Sequence, residues 1–360
     1  MGRRYGPSFI EDYRREKLVI NLANKYRPRA FQDVVAQGYV KQILLNQLET
    51  GEIKHAYLFC GGAGTGKTTS ARIFAKEVNS GEGTPIEIDA ASNNGVENVR
   101  DIIEDSKFKS LDSKYKVYII DEVHMLSTGA FNALLKTLEE PPAGTIFILC
   151  TTDPQKIPAT IMSRVQRFDF TRISVDDIVS QLKYILESEN AEGASYDYDI
   201  EALRFIAKLA NGGMRDAITR LEKVLDYTDY VTVQEVADAL GTPDYETFVN
   251  LTNTILSNST SDALKLLDEF HMSGKDLKLT MRNYTNFLVD VCKYFLTKNL
   301  ELTNLPDHLE EDLADIRNST GYSILLWMLE EMNSLNSTIK WEPNAKPIIE
   351  AQILLMTQED

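Results

Sequence analysis

At 360 residues, with 43% hydrophobic and 26% charged side chains, the chain has room for two or three domains and is neither disordered nor fibrous. It has no apolar run of the ~18 residues a membrane-spanning helix needs; its start lacks an apolar h-region; and Cys60, Cys150 and Cys292 are too few and too widely spaced for a CxxC pair or a four-ligand zinc site, so a reducing, cytoplasmic setting is expected. A formal net charge of -16 argues against a freestanding nucleic-acid binder, because phosphate attraction supplies most non-specific affinity.

The charge is uneven. Residues 1–30 carry eight Lys/Arg against three Asp/Glu, whereas residues 231–360 carry nine against twenty-one. Residues 1–22 mix charges with little apolar periodicity and read as an arm, with a short helix over 8–18. From Ala56 onward, short apolar runs alternate with helix-period segments. The spacing predicts strands over 56–60, 86–90, 116–120, 145–151 and 166–171, with helices over 67–78, 96–107 and 128–140 between them. Phe131, Leu134, Leu135 and Leu138 share one face of the last helix, and Pro141-Pro142 end it. Such alternation implies a mostly parallel sheet with helices on both faces. From about Ser174 the strands are expected to cease. Helices follow over 176–190, 198–210 and 214–227, broken at Asn211-Gly212-Gly213, then over 233–240 and from 243 to the end. Residues 299–310, with Pro306, read as the most linker-like stretch of the last third.

Gly61-Gly62-Ala63-Gly64-Thr65-Gly66-Lys67-Thr68 fits GxxxxGK[ST] between a predicted strand and a predicted helix, and Thr69 continues that helix. Glycines there let backbone N–H groups wrap a phosphate chain, and the helix N-terminus favours the negative charge. Lys67 would reach the β- and γ-phosphates of ATP, and the Thr68 hydroxyl would bind Mg²⁺. Val117–Asp121 is an apolar strand ending in Asp121-Glu122. At the carboxyl end of a parallel strand these acids share the crevice of the phosphate loop. Asp121 is expected on the Mg²⁺ side, and Glu122 is placed to orient or deprotonate an attacking water. At the end of the next core strand, Thr152, or failing it Thr151, is the polar group expected near the γ-phosphate or the water. The four histidines, His55, His124, His271 and His308, show no metal-ligand spacing, and His124 reads as structural.

The ordered run of phosphate loop, IEIDAAS (86–92), YIIDEVHMLS (118–127), FNALLKTLEEPP (131–142), TTDPQKIP (151–158), SR (163–164) and GGMRDA (212–217) resembles the gamma/tau family of bacterial DNA polymerase III subunits, AAA+ motors of sliding-clamp loaders. The resemblance spans roughly residues 22–230 and fades beyond them. It implies a P-loop ATPase domain over 23–173 with a parallel five-stranded sheet, a helical lid over 174–230 and a helical collar for oligomerisation over 231–360. Arg164 then matches an arginine finger acting on a neighbour's ATP, although Val165 replaces the cysteine of the family's Ser-Arg-Cys motif. Arg215 matches the lid arginine that contacts the γ-phosphate in cis. Thr152 matches the first sensor, and Tyr26-Arg27-Pro28 with Val34-Val35 matches the segment that packs on adenine. By family position, Arg100, Thr128 and Lys156 are candidates to touch template DNA. Phe108 sits on the clamp-facing helix as either an apolar anchor or a core residue.

The family normally carries a four-cysteine zinc module ahead of the IEIDAAS strand. Residues 79–86 hold no cysteine, so no structural zinc is expected. The tail of the long form is not expected after the third domain, and a compact version of the kind a bacteriophage or other virus would encode is the expectation that fits both departures. The implied function is opening a sliding clamp and loading it onto primer–template DNA as part of a pentamer, homomeric or heteromeric. Two other readings remain. One is a branch-migration motor, which would carry a basic C-terminal DNA domain. The other is a non-hydrolysing structural subunit, against which the intact Lys67, Thr68, Asp121 and Glu122 argue.

Overall fold

The computed structural model describes residues 21–110, 112–241, 245–272, 274, 276–303 and 305–358. Residues 1–20 of the arm, with the expected helix over 8–18, therefore lie outside the described residues, while Leu22 opens a short helix, Leu22–Lys25. The chain divides into two compact units. One comprises residues up to Ile185 together with Ala210–Glu222, and the other comprises Leu186–Leu209 with Lys223 onward.

The first unit is built on five parallel strands: β1 (Ala56–Gly61), β2 (Ile86–Asp89), β3 (Lys116–Asp121), β4 (Thr145–Thr151) and β5 (Gln166–Phe170), in the order β2-β3-β4-β1-β5. The three predicted helices fall at Lys67–Val78, Val96–Ser106 and Thr128–Glu139. A further helix, Gly38–Thr50, was not predicted, although Val40, Ile43, Leu44 and Leu48 recur at helical spacing and pack on the core. Alternation along each strand makes the two faces of the sheet. Tyr57, Phe59, Ile119, Ile148 and Phe168 point to one side, against Leu44 and Phe74 of the Gly38–Thr50 and Lys67–Val78 helices. Leu58, Tyr118, Ile120, Phe147 and Leu149 point to the other, against Val99, Phe131, Leu134 and Leu138. Covered on both faces, β1, β3 and β4 read as continuous apolar runs, while the edge strands β2 and β5 alternate. Each fully buried large side chain contributes roughly 1.5–3 kcal/mol.

After Lys67–Val78 the chain turns tightly. Ser80, Gly81 and Gly83 all have positive φ, and the Asn79 side chain donates to the Tyr115 carbonyl and accepts from the Tyr115 amide. Among the described residues no cluster of three or more His, Cys, Asp or Glu is arranged to hold a metal ion. No helix among them is long and apolar enough to cross a membrane.

The second unit is largely helical, and its core gathers Phe248, Leu267, Tyr284, Phe287, Leu325, Met328, Ile349 and Ile353. Two expectations are corrected here. Strands do not cease at Ser174: Asp197–Tyr198 and Tyr230–Val231 pair in parallel as a two-stranded ribbon. They are two residues each and sit at helix boundaries, too short to show a period. Nor is 299–310 a free linker, because Leu305 and Leu309 are fully buried and the segment holds two 3₁₀ turns.

Candidate active site

The phosphate loop leaves β1 at Gly61 and enters the helix at Lys67. Gly64 and Gly66 have φ of +71° and +101°, conformations L side chains rarely adopt. A Cβ on Gly64 would also lie 3.1 Å from the Gly213 Cα. Thr65 is buried and closes the loop on itself, its hydroxyl donating to the Gly62 carbonyl at 2.9 Å. Lys67 is buried, its ammonium donating to the Gly61 and Gly62 carbonyls at 2.8 and 2.7 Å. Burial lowers its pKa, and the Glu122 and Asp121 charges work against that shift.

Gln37, a residue the motif reading missed, braces the same loop. Its buried amide donates to the Thr65 and Thr171 carbonyls and accepts from the Thr171 amide. In the sequence it is only a polar residue ahead of a helix, which nothing in its spacing distinguishes from a turn residue; its positive φ belongs to the structure.

Thr68 and Asp121 meet as expected: the Thr68 hydroxyl donates to Asp121 Oδ2 at 2.8 Å. A hydroxyl beside a carboxylate at the mouth of a phosphate loop is an oxygen donor set that suits Mg²⁺, which keeps several waters and takes few protein ligands. Glu122 follows with φ of +46°. Its Oε2 accepts from the Thr152 hydroxyl at 2.9 Å and the Thr152 amide at 3.3 Å, and lies 3.2 Å from His124 Nδ1. Of the two threonines, Thr152 reaches Glu122; Thr151 is buried and its hydroxyl accepts from the Asp153 amide.

A cavity of about 210 Å³ opens beside the loop. Tyr26, Arg27, Pro28, Val34 and Val35 line one part of it, and Gly64–Thr69 with Asp121 line another. Arg215 also lines it, exposed and with its guanidinium unpaired among the described residues. Arg72 and Gln181 lie in the same wall, and neither was foreseen. The expected adenine-side and phosphate-side residues therefore share one cavity, which also fits the molecule they were expected to hold: an apolar slot leading to a glycine loop with a buried cation.

Arg164 lies outside this cavity. It is half-buried on its own subunit's surface, paired with Glu139 Oε1 at 2.5 Å and donating to the Thr160 carbonyl. Arg100, Thr128 and Lys156 are exposed, and Lys156 pairs with Asp153. The starts of the Arg100 and Thr128 helices adjoin, since the Ser127 amide donates to the Asn94 carbonyl. Phe108 is 70% exposed, which removes the core reading for it.

Comparison with known proteins gives a consistent picture. Residues 81–174 match the family described as DNA polymerase III, delta subunit, and residues 177–227 match the DNA polymerase III clamp loader subunit, ATPase lid domain. The DNA polymerase III subunit tau of Bacillus subtilis is 38% identical over 94% of this chain and 63% of its own length. The DNA polymerase III subunit gamma of Buchnera aphidicola subsp. Schizaphis graminum is 36% identical over 76% of this chain and 78% of its own. The chain thus spans less than two thirds of the Bacillus relative and more than three quarters of the Buchnera one. A variant of Thermotoga maritima RuvB is 20% identical, with a TM-score of 0.50 over 64% of this chain and 80% of that one, a likeness of fold alone.

Proposed function

The chain belongs to the gamma/tau family of DNA polymerase III subunits, and on that premise we propose that it is an ATP-hydrolysing subunit of a sliding-clamp loader. Within a pentamer of like or related subunits it opens the clamp and loads it onto primer–template DNA in the cytoplasm. The observation that carries this reading is the meeting of Thr68 and Asp121 at 2.8 Å beside a Glu122 held by Thr152.

The loop amides and Lys67 bind the phosphates, while Tyr26, Arg27, Pro28, Val34 and Val35 take the base. Thr68 and Asp121 would hold Mg²⁺, which would supply neutralisation of the phosphate charge when bound. Arg215 contacts the γ-phosphate from the same chain. Glu122 orients the attacking water and accepts its proton. Arg164 serves a neighbouring subunit's ATP, where an arginine finger contributes about 10³ or more in rate. Hydrolysis then depends on correct assembly. The domains act as a P-loop motor over 23–173, a lid over 174–230 and a collar over 231–360. Arg100, Thr128 and Lys156 face the template backbone.

Steady-state hydrolysis with and without primed DNA and the cognate clamp, alongside Arg164→Ala, tests the proposal. Stimulation by both ligands, lost in Arg164→Ala although nucleotide still binds, supports it. Turnover indifferent to the clamp, or raised by branched DNA instead, overturns it in favour of a remodelling motor.

A further inference from the structure

We propose that His124 is a positioning residue for hydrolysis: held by Thr151, its Nδ1–H stands beside one oxygen of the Glu122 carboxylate and attracts it, so that the other faces the attacking water. This rests on Glu122 being the group that handles the water.

The backbone makes the contact possible. Glu122 is a non-glycine residue in the left-handed region, φ +46° and ψ +43°, and opens a 3₁₀ turn over Val123–Met125. Its amide donates to Asp121 Oδ1 at 3.0 Å. Such a conformation costs of order 1 kcal/mol or more and persists where surrounding contacts over-determine it. The turn carries His124 back beside the Glu122 side chain only two residues away.

The hydrogen-bond inventory then assigns the tautomer. His124 Nδ1 lies 3.2 Å from Glu122 Oε2 and 3.1 Å from Thr151 Oγ1. An ionised carboxylate only accepts, so a bare Nδ1 lone pair would face a negative oxygen. A proton on Nδ1 removes that conflict: it is directed to the Thr151 hydroxyl oxygen and leaves the positive end of the N–H dipole beside Oε2. The Thr152 hydroxyl and amide both donate to Oε2, and His124 Nδ1 stands beside the same oxygen at ion-pair distance. Among the described residues none reaches Oε1. The histidine side chain is 10% exposed and the carboxylate 35%, so the donor is packed in place while the acceptor keeps access to the crevice. Fixing a reacting group within a small fraction of its free range is a direct source of rate.

The test uses the full chain with His124→Ala, His124→Gln and His124→Asn, reading kcat, KM, affinity for a non-hydrolysable ATP analogue and melting temperature. An Asn amide nitrogen falls near the place of Nδ1, whereas Gln fills as much space but carries its amide one bond further. The expected result is a kcat lowered about tenfold or more in Ala and Gln, with Asn within about threefold of wild type and analogue affinity unchanged in all three. Wild-type turnover in Ala overturns the proposal, as does an Asn variant no faster than Gln. So does a loss accompanied by weakened binding or melting, which marks a packing role. Glu122→Gln separates the two levels. If it turns over normally, or the wild type does not turn over at all, the underlying reading fails. If Glu122→Gln is inactive while His124→Ala is not, only the role of His124 fails.

Discussion

The Met214 amide donates to the Gly64 carbonyl at 3.0 Å. This bond ties the tip of the phosphate loop to the start of the helix carrying Arg215, next to a glycine pair where the two backbones nearly touch. A Cβ on Gly213 would meet the Ala63 carbonyl oxygen at 2.9 Å. Gly213→Ala is therefore expected to push the helix start off the loop, weakening ATP affinity about tenfold at a stability cost of about 1–3 kcal/mol. Nucleotide titration and thermal melting check this. Unchanged affinity would show that loop and helix start are not coupled.

Lys67 gives a counter-intuitive expectation. Burial lowers its pKa, so the charged form is disfavoured by folding. The sign follows: the penalty is present at neutral pH, where the group is charged, and fades as pH rises through the folded value toward the usual lysine range. Lys67→Met is expected to abolish nucleotide binding yet melt, without nucleotide at pH 7, at or above the wild-type temperature. The difference narrows at alkaline pH. A clearly lower melting temperature would show that the bonds to the Gly61 and Gly62 carbonyls outweigh the burial cost.

Asp105 behaves in the opposite sense. Hydrogen bonds from Lys116 and Tyr118 hold its carboxyl below the usual carboxylate range. A depressed folded pKa contributes stability above the unfolded value that is lost as pH falls through the folded one. With half its side chain exposed, solvent screening leaves about 1 kcal/mol. Asp105→Asn is expected to lower stability by that amount at pH 7 and to match wild type in strong acid, as denaturant titrations at several pH values would record. A pH-independent difference would point to lost packing instead.

The sheet and its covering helices were legible because β1, β3 and β4 are apolar runs, β2 and β5 alternate, and the three predicted helices carry apolar residues at helical spacing. Gly38–Thr50 was passed over although Val40, Ile43, Leu44 and Leu48 recur at helical spacing, and the ribbon at 197–198 and 230–231 escaped because two residues cannot show a period. In the site, the loop and the Asp121-Glu122 pair were readable as local patterns. Gln37 and His124 were not. Both act through contacts fixed by positive-φ backbone, Gln37 reaching Thr65 and Thr171 far along the chain and His124 curling back onto Glu122. Neither residue type announces that role in a linear sequence. Glu139 was part of a recognised motif, but its pairing with Arg164 depends on how Thr128–Glu139 packs beside Ala159–Met162.

The central claim is that Glu122 performs hydrolysis without being needed for binding. The most direct measurement is phosphate release by wild type and Glu122→Gln, with ATP affinity determined for both. Equal affinity within about threefold and turnover reduced about 10² or more in the variant are expected. Wild-type turnover by Glu122→Gln would contradict it.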